Sequence, residues 1–102
     1  MARYRILSWG DIPAQVKVTE DGRRPVSVQL PEWFAQEIDR VAMRDGILGA
    51  DEYLERWSWS ADAERPGSAE EVAADLVREI EAEWEPVRRR DTARAEAPRP
   101  KE

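Results

Sequence analysis

The chain has 102 residues, 37% charged and 41% apolar, with a formal net charge of −6. That fits one domain with a core near the lower end of comfortable size, and the acidic balance argues against sequence-independent binding to nucleic acid, which needs a basic surface. The sequence holds neither Cys nor His, so disulfides, thiolate or imidazole metal sites and His-based nucleophilic triads are excluded.

In chain order, residues 3–9 read as a strand, with Tyr4, Ile6 and Ser8 on one face and Arg5, Leu7 and Trp9 on the other. Apolar residues on that second face suggest a central strand covered on both sides. Gly10-Asp11-Ile12-Pro13 reads as a turn. Residues 14–19 form a second strand with Val16 and Val18 inward. A two-residue turn at Asp21-Gly22 would set Val18 against Pro25 and mix the faces. An odd-length loop centred on Gly22 instead pairs Val18 with Val26 and Val16 with Val28.

The stretch from Arg24 to Gly46 organises the rest. Val26, Val28 and Leu30 alternate with polar residues as a third strand. Pro31 stops the strand and suits a helix start. Phe34, Ile38, Val41 and Ala42 then share a helical stripe, with Gly46 as the stop. Gly46–Gly49 is a turn carrying Ile47 and Leu48, and residues 50–54 form a helical turn. Residues 54–60 alternate as a fourth strand with Trp57 and Trp59 on one side. Residues 61–67 read as a loop. Ser68 and Glu71 make a capping box that opens a helix with Val72, Ala73, Leu76, Ile80 and Trp84 on one face, ended by Pro86.

The expected fold is a single small α+β domain, β-β-β-α-β-α, an antiparallel or mixed sheet with two helices (31–45 and 69–85) packed on one face. It spans residues 1–86, and the charged stretch 87–102, nearly free of apolar residues, reads as a disordered tail. Net charge is uneven: +2 over residues 1–30, −5 over 31–65 and −3 over 66–102. No run is long and apolar enough for a membrane span, and the start lacks a signal peptide's apolar region. A cytoplasmic protein is expected.

Five tryptophans in so short a chain can fill a core or form an aromatic platform for a partner or a planar ligand. Trp33, Trp57 and Trp59, with Ile47 and Leu48 of the Gly46–Gly49 turn, are the candidate partner-binding residues. Trp33 stands one position before the apolar stripe, at the helix edge. Arg23 and Arg24, with Arg3 and Arg5 on a nearby strand, could hold a phosphate or carboxylate; the alternative is that they are solvated or pair with Glu20 and Asp21. Glu37, Asp39, Asp45, Asp51 and Glu52 are spread too widely to converge on one cation, so neither a metal nor a cofactor is expected. Carboxylates or Tyr53 could serve an enzyme, but no catalytic residue is assigned.

As a set, SWGDIPAQV, GRRPVSVQLPEWFAQEIDRVAMRDG, YLERWSWS and RPGSAEEVAADLVREIEAEW resemble a small bacterial domain family that carries the label "virulence factor" and is related to the C-terminal module of conserved virulence factor C. The resemblance covers about residues 2–85 and includes no catalytic motif. It implies a companion of one-carbon enzymes of the folate-reductase or corrinoid methyl-transfer kinds. The expected function is therefore a non-catalytic interaction module or accessory subunit docking on a larger enzyme, with a homo-oligomer left open. The alternative is a binding domain for an anionic planar ligand such as a folate, using Arg23, Arg24 and a tryptophan face.

Overall fold

The computed structural model describes residues 1–47 and 49–96, with side chains through Asp91. It is a small α+β domain built on one open antiparallel sheet of five strands, with three helices among the described residues. Strands β1 (Ala2–Trp9), β2 (Ile12–Glu20) and β3 (Val26–Gln29) form a meander. Helix α1 (Glu32–Arg44) and the short α2 (Ala50–Glu55) follow, then β4 (Trp57–Trp59), β5 (Ala63–Arg65) and α3 (Ala69–Glu96). The sheet order is β3-β2-β1-β4, and β5 also pairs with β1.

The hairpin has the register that the alternation requires: Val18 pairs with Val26 and Val16 with Val28. Gly22, midway between the paired Val18 and Val26, is the second residue of the five-residue loop and has φ of 77°, a backbone region open to glycine at little cost. β1 is central, paired with β2 on one side and with β4 and β5 on the other. Its ladder to β2 shifts between Leu7 and Ser8, where Ala14 is the extra residue on β2. The bulge lets β2 begin at Ile12, so Ile12 and Pro13 belong to the strand and not to the turn expected there. Gly10 and Asp11 alone turn the chain.

One core joins the sheet to the long helices: Val16 and Val18 from β2, Phe34 and Ile38 from α1, Val72 and Leu76 from α3. α3 lies across β2 and β3, and α1 lies along β2. The helices also meet directly, with the Phe34 and Trp84 rings 6.0 Å apart. Gly46 stops α1 with φ of 69°. At the start of α3, Ser68 Oγ accepts the Glu71 N–H at 3.2 Å, and Glu20 Oε1 accepts the Ala69 N–H at 2.8 Å. The expected serine cap is thus joined by a carboxylate from the end of β2.

Three further expectations are corrected. The fourth strand is only Trp57–Trp59, because Leu54 and Glu55 belong to α2. The loop over 61–67 contains β5, whose Ala63 and Arg65 pair with Tyr4 and Ala2. Three residues, Ala-Glu-Arg, carry no strand pattern of their own. Arg65 anchors the strand by lying over the Tyr4 ring at 5.4 Å and forming a two-pronged pair with Glu79 of α3. Lastly, Pro86 does not end α3. The helix continues to Glu96 with Pro86 inside it, because the following turns find tertiary partners: Asp91 lies 3.7 Å from Arg40 of α1, and Val87 is half-buried. The stretch expected as a tail therefore starts as helix; residues 97–102 lie outside the described residues.

Candidate functional site

The ladder between β1 and β2 pairs Arg3 with Thr19 and Arg5 with Lys17. Directly paired residues share a face, so Arg3, Arg5, Lys17 and Thr19 project together from the side of the sheet opposite Val16 and Val18. With Asp62 they line a cavity of about 230 Å³. Leu7 pairs with Trp59 and Trp9 with Trp57, which puts both β4 tryptophans on this same face. Trp59 remains 39% exposed. The Arg5 guanidinium lies over its ring, 5.8 Å from the centroid.

Ser60 fixes the geometry of that end. Its N–H donates to the Ile6 carbonyl and its Oγ accepts the Ile6 N–H, both at 2.9 Å. Arg5 Nε in turn donates to the Ser60 carbonyl at 3.2 Å. The counter-charges are peripheral: Arg3 sits 3.7 Å from Asp21, and Arg5 sits 3.4 Å from Asp62. Pairs this exposed hold their partners weakly. Glu64, paired with Arg3 across β1 and β5, is exposed on this face as well. Arg3, Arg5 and Lys17 are thus balanced by Asp21, Asp62 and Glu64, and among the described residues Lys17 alone of the three cations has no ion pair.

One pleat further along the same strands, the surface changes character. Leu7 and its cross-strand partner Gln15 begin a cavity of about 390 Å³ that continues through Leu30, Tyr53 and Trp57, with Glu32 and Asp39 at its α1 side. Trp9 holds this wall in place. It is 1% exposed, its Nε1 donates to the Tyr53 carbonyl at 2.9 Å, and its ring lies 5.5 Å from that of Tyr53. Tyr53 meets Trp57 edge-on at 6.2 Å. So Trp9 is core, and its burial locates the α2 residues that frame the cavity.

The residues singled out from the sequence are dispersed. Trp57 and Trp59 lie together on the sheet face, whereas Trp33 stacks with Phe34 and Trp84 where α1 meets α3, at 5.0 and 6.3 Å. Ile47 follows α1 and is half-buried; Leu48 lies outside the described residues. Arg23 and Arg24 are exposed in the β2–β3 loop, with Arg23 3.9 Å from Glu20. They do not line the Arg3–Arg5–Lys17 cavity. Lys17, Leu7 and Tyr53 were not singled out as binding residues. Alternation along the second strand already set Lys17 apart from Val16 and Val18, but only the register places it beside Arg5.

A second charged cluster lies between the helices. Glu37 is 4% exposed and forms an ion pair with Arg40, which also reaches Asp91. Burial pushes the Glu37 carboxyl above its ordinary range, a hydrogen bond with Asp91 adds to this, and Arg40 opposes it. Among the described residues no group of three or more acidic side chains is placed to hold a metal ion, and no helix is long and apolar enough to cross a membrane.

Comparison with the curated proteins and with the solved structures finds no match. A family model does match: residues 7–91, from Leu7 at the sheet-face cavity to Asp91 at the α1–α3 contact, fit the model described as Virulence factor, and the chain belongs to that family.

Proposed function

We propose that this domain is a non-catalytic interaction module, an accessory subunit whose open sheet face docks on a larger enzyme. One observation carries the reading: the exposed Trp59 lies under Arg5, with Arg3 and Lys17 alongside. Tryptophan and arginine are the residues most enriched where interfaces concentrate their binding energy, and the mixed charges around them can set the register of a partner with complementary charges. The family resemblance of the sequence suggests a one-carbon enzyme, of folate-reductase or corrinoid methyl-transfer kind, as that partner.

The test is affinity purification of the tagged protein from its own organism, compared with an Arg5→Glu/Trp59→Ser variant of unchanged circular dichroism. One enzyme recovered at near-equal amounts with the native chain and lost with the variant is the expected result. Equal recovery with both, or none with either, overturns the reading.

The cavity bounded by Leu7, Tyr53 and Trp57 favours a second reading. It opens one pleat, about 7 Å, from Arg5 and Lys17, a spacing suited to a planar ligand with an anionic tail. Tryptophan fluorescence titrated with a reduced folate should then respond at micromolar levels, and a flat titration rejects it.

A further inference from the structure

Among the described residues β3 pairs only with β2, which leaves its other edge open. The direction of its free backbone groups follows from one hydrogen bond. The Leu30 N–H donates to Ala14 of β2 at 3.0 Å, and antiparallel ladders alternate. Val26 and Val28 therefore spend their backbone groups on β2, while Ser27 and Gln29 present theirs outward. Beside this edge runs an apolar groove of about 420 Å³, lined by Val26 and Val28 and by Glu70, Ala73, Ala74 and Val77 of α3, with Arg78 at its end. Exposed edges with adjacent apolar surface are sites where another strand adds.

We infer that the occupant is a second copy of this chain, joined by antiparallel β3–β3 pairing about a two-fold axis at Ser27. Three features of the edge and groove are self-complementary in that arrangement. Pairing about Ser27 sets Val26 opposite the second copy's Val28, so the apolar faces stay in register across the junction. Ser27 is then a hydrogen-bonded pair, each N–H donating to the other's carbonyl, and each Gln29 N–H meets the carbonyl of the opposing Pro25. The same axis places the two α3 helices side by side and antiparallel. Ala74 stands midway between Glu70 and Arg78, so a two-fold through Ala74 brings Glu70 of each copy to Arg78 of the other. Glu70 has no ion pair among the described residues, and Arg78 is paired only with Asp75 on its own helix. The small, exposed side chain of Ala74 allows the helices to approach. Association that continues a sheet and closes under a two-fold is isologous and stops at the dimer.

The experiment is sedimentation equilibrium of the full chain over a concentration series. The native protein should run at twice its 11.8 kDa mass. Glu70→Arg and Arg78→Glu should each weaken dimerisation at least tenfold, and the double swap should restore it, because the pair is then remade with reversed signs. Ser27→Pro removes the outward N–H at a position where proline is tolerated on an edge, and should give a monomer with an unchanged circular dichroism spectrum. A native monomer at all concentrations overturns the inference and leaves the edge to a strand from another protein. A dimer indifferent to Ser27→Pro, or a double swap that fails to restore association, overturns it as well.

Discussion

Replacing Trp9 by Phe tests the link between the core and the sheet-face cavity. Trp9 is 1% exposed and donates its indole N–H to the Tyr53 carbonyl. Phenylalanine keeps an aromatic ring but removes that hydrogen bond, leaving the carbonyl with the Arg56 N–H alone at 3.3 Å, at a cost of about 1 kcal/mol. It also vacates roughly 40 Å³, which at about 24 cal/mol per Å³ adds about 1 kcal/mol. The lost burial of the second ring brings the expected total to about 2–3 kcal/mol. For a domain whose whole stability is of order 5–15 kcal/mol, this is a large fraction. Urea unfolding followed by far-ultraviolet circular dichroism measures it, since that signal does not depend on the tryptophan removed. Trp59→Phe, at a 39% exposed position, is the control and should change stability by less than about 0.5 kcal/mol. If Trp9→Phe costs under about 1 kcal/mol, or no more than Trp59→Phe, then Trp9 does not brace α2 as described.

Two further outcomes are expected. Ser68→Ala removes the acceptor of the Glu71 N–H and should cost about 1 kcal/mol in thermal or chemical unfolding; the Glu20 carboxylate on the Ala69 N–H should hold the loss near that figure and not beyond it. Glu37 has a folded pKa above its ordinary 4.5, so between the two values the folded chain binds more protons than the unfolded one. Stability therefore declines as pH rises from 4.5 through the folded value. A Glu37→Gln chain should lack that decline in urea midpoints measured against pH, and an unchanged slope would remove Glu37 as its source.

What could be read from the residues was whatever a single element announces by its own period. The Val16/Val18 and Val26/Val28 alternation specifies both strands and their register, because a slip of one residue would turn valines to water. The Phe34–Ile38 and Val72–Leu76–Ile80 stripes specify α1 and the first half of α3 by the same reasoning. β5 was not legible because Ala63-Glu64-Arg65 has no period; it exists through β1 and through Arg65–Glu79. Nor was the second half of α3, where local chemistry at Pro86 says stop and the contacts of Val87 and Asp91 override it. The sheet-face cluster was half legible. Alternation put Arg3 and Arg5 on one side of a strand, but Lys17 joins them only through a cross-strand register, and Arg23 and Arg24, grouped with them as lying beside a nearby strand, do not line their cavity. Glu37 sits among helical positions that read as polar surface, and only the approach of α3 buries it.

Pro86 has one more consequence. It has no N–H, so the Ala82 carbonyl one turn earlier receives no bond from it, and the ladder of α3 is interrupted at one rung. Before the gap the helix carries Val72, Leu76 and Ile80, and its amides can exchange with solvent deuterium only when the core opens. Beyond it, about three turns are held mainly by Val87 and by Asp91 beside Arg40, so their amides can exchange through a smaller, separate opening. The proline thus marks a boundary between two protection classes within one continuous helix.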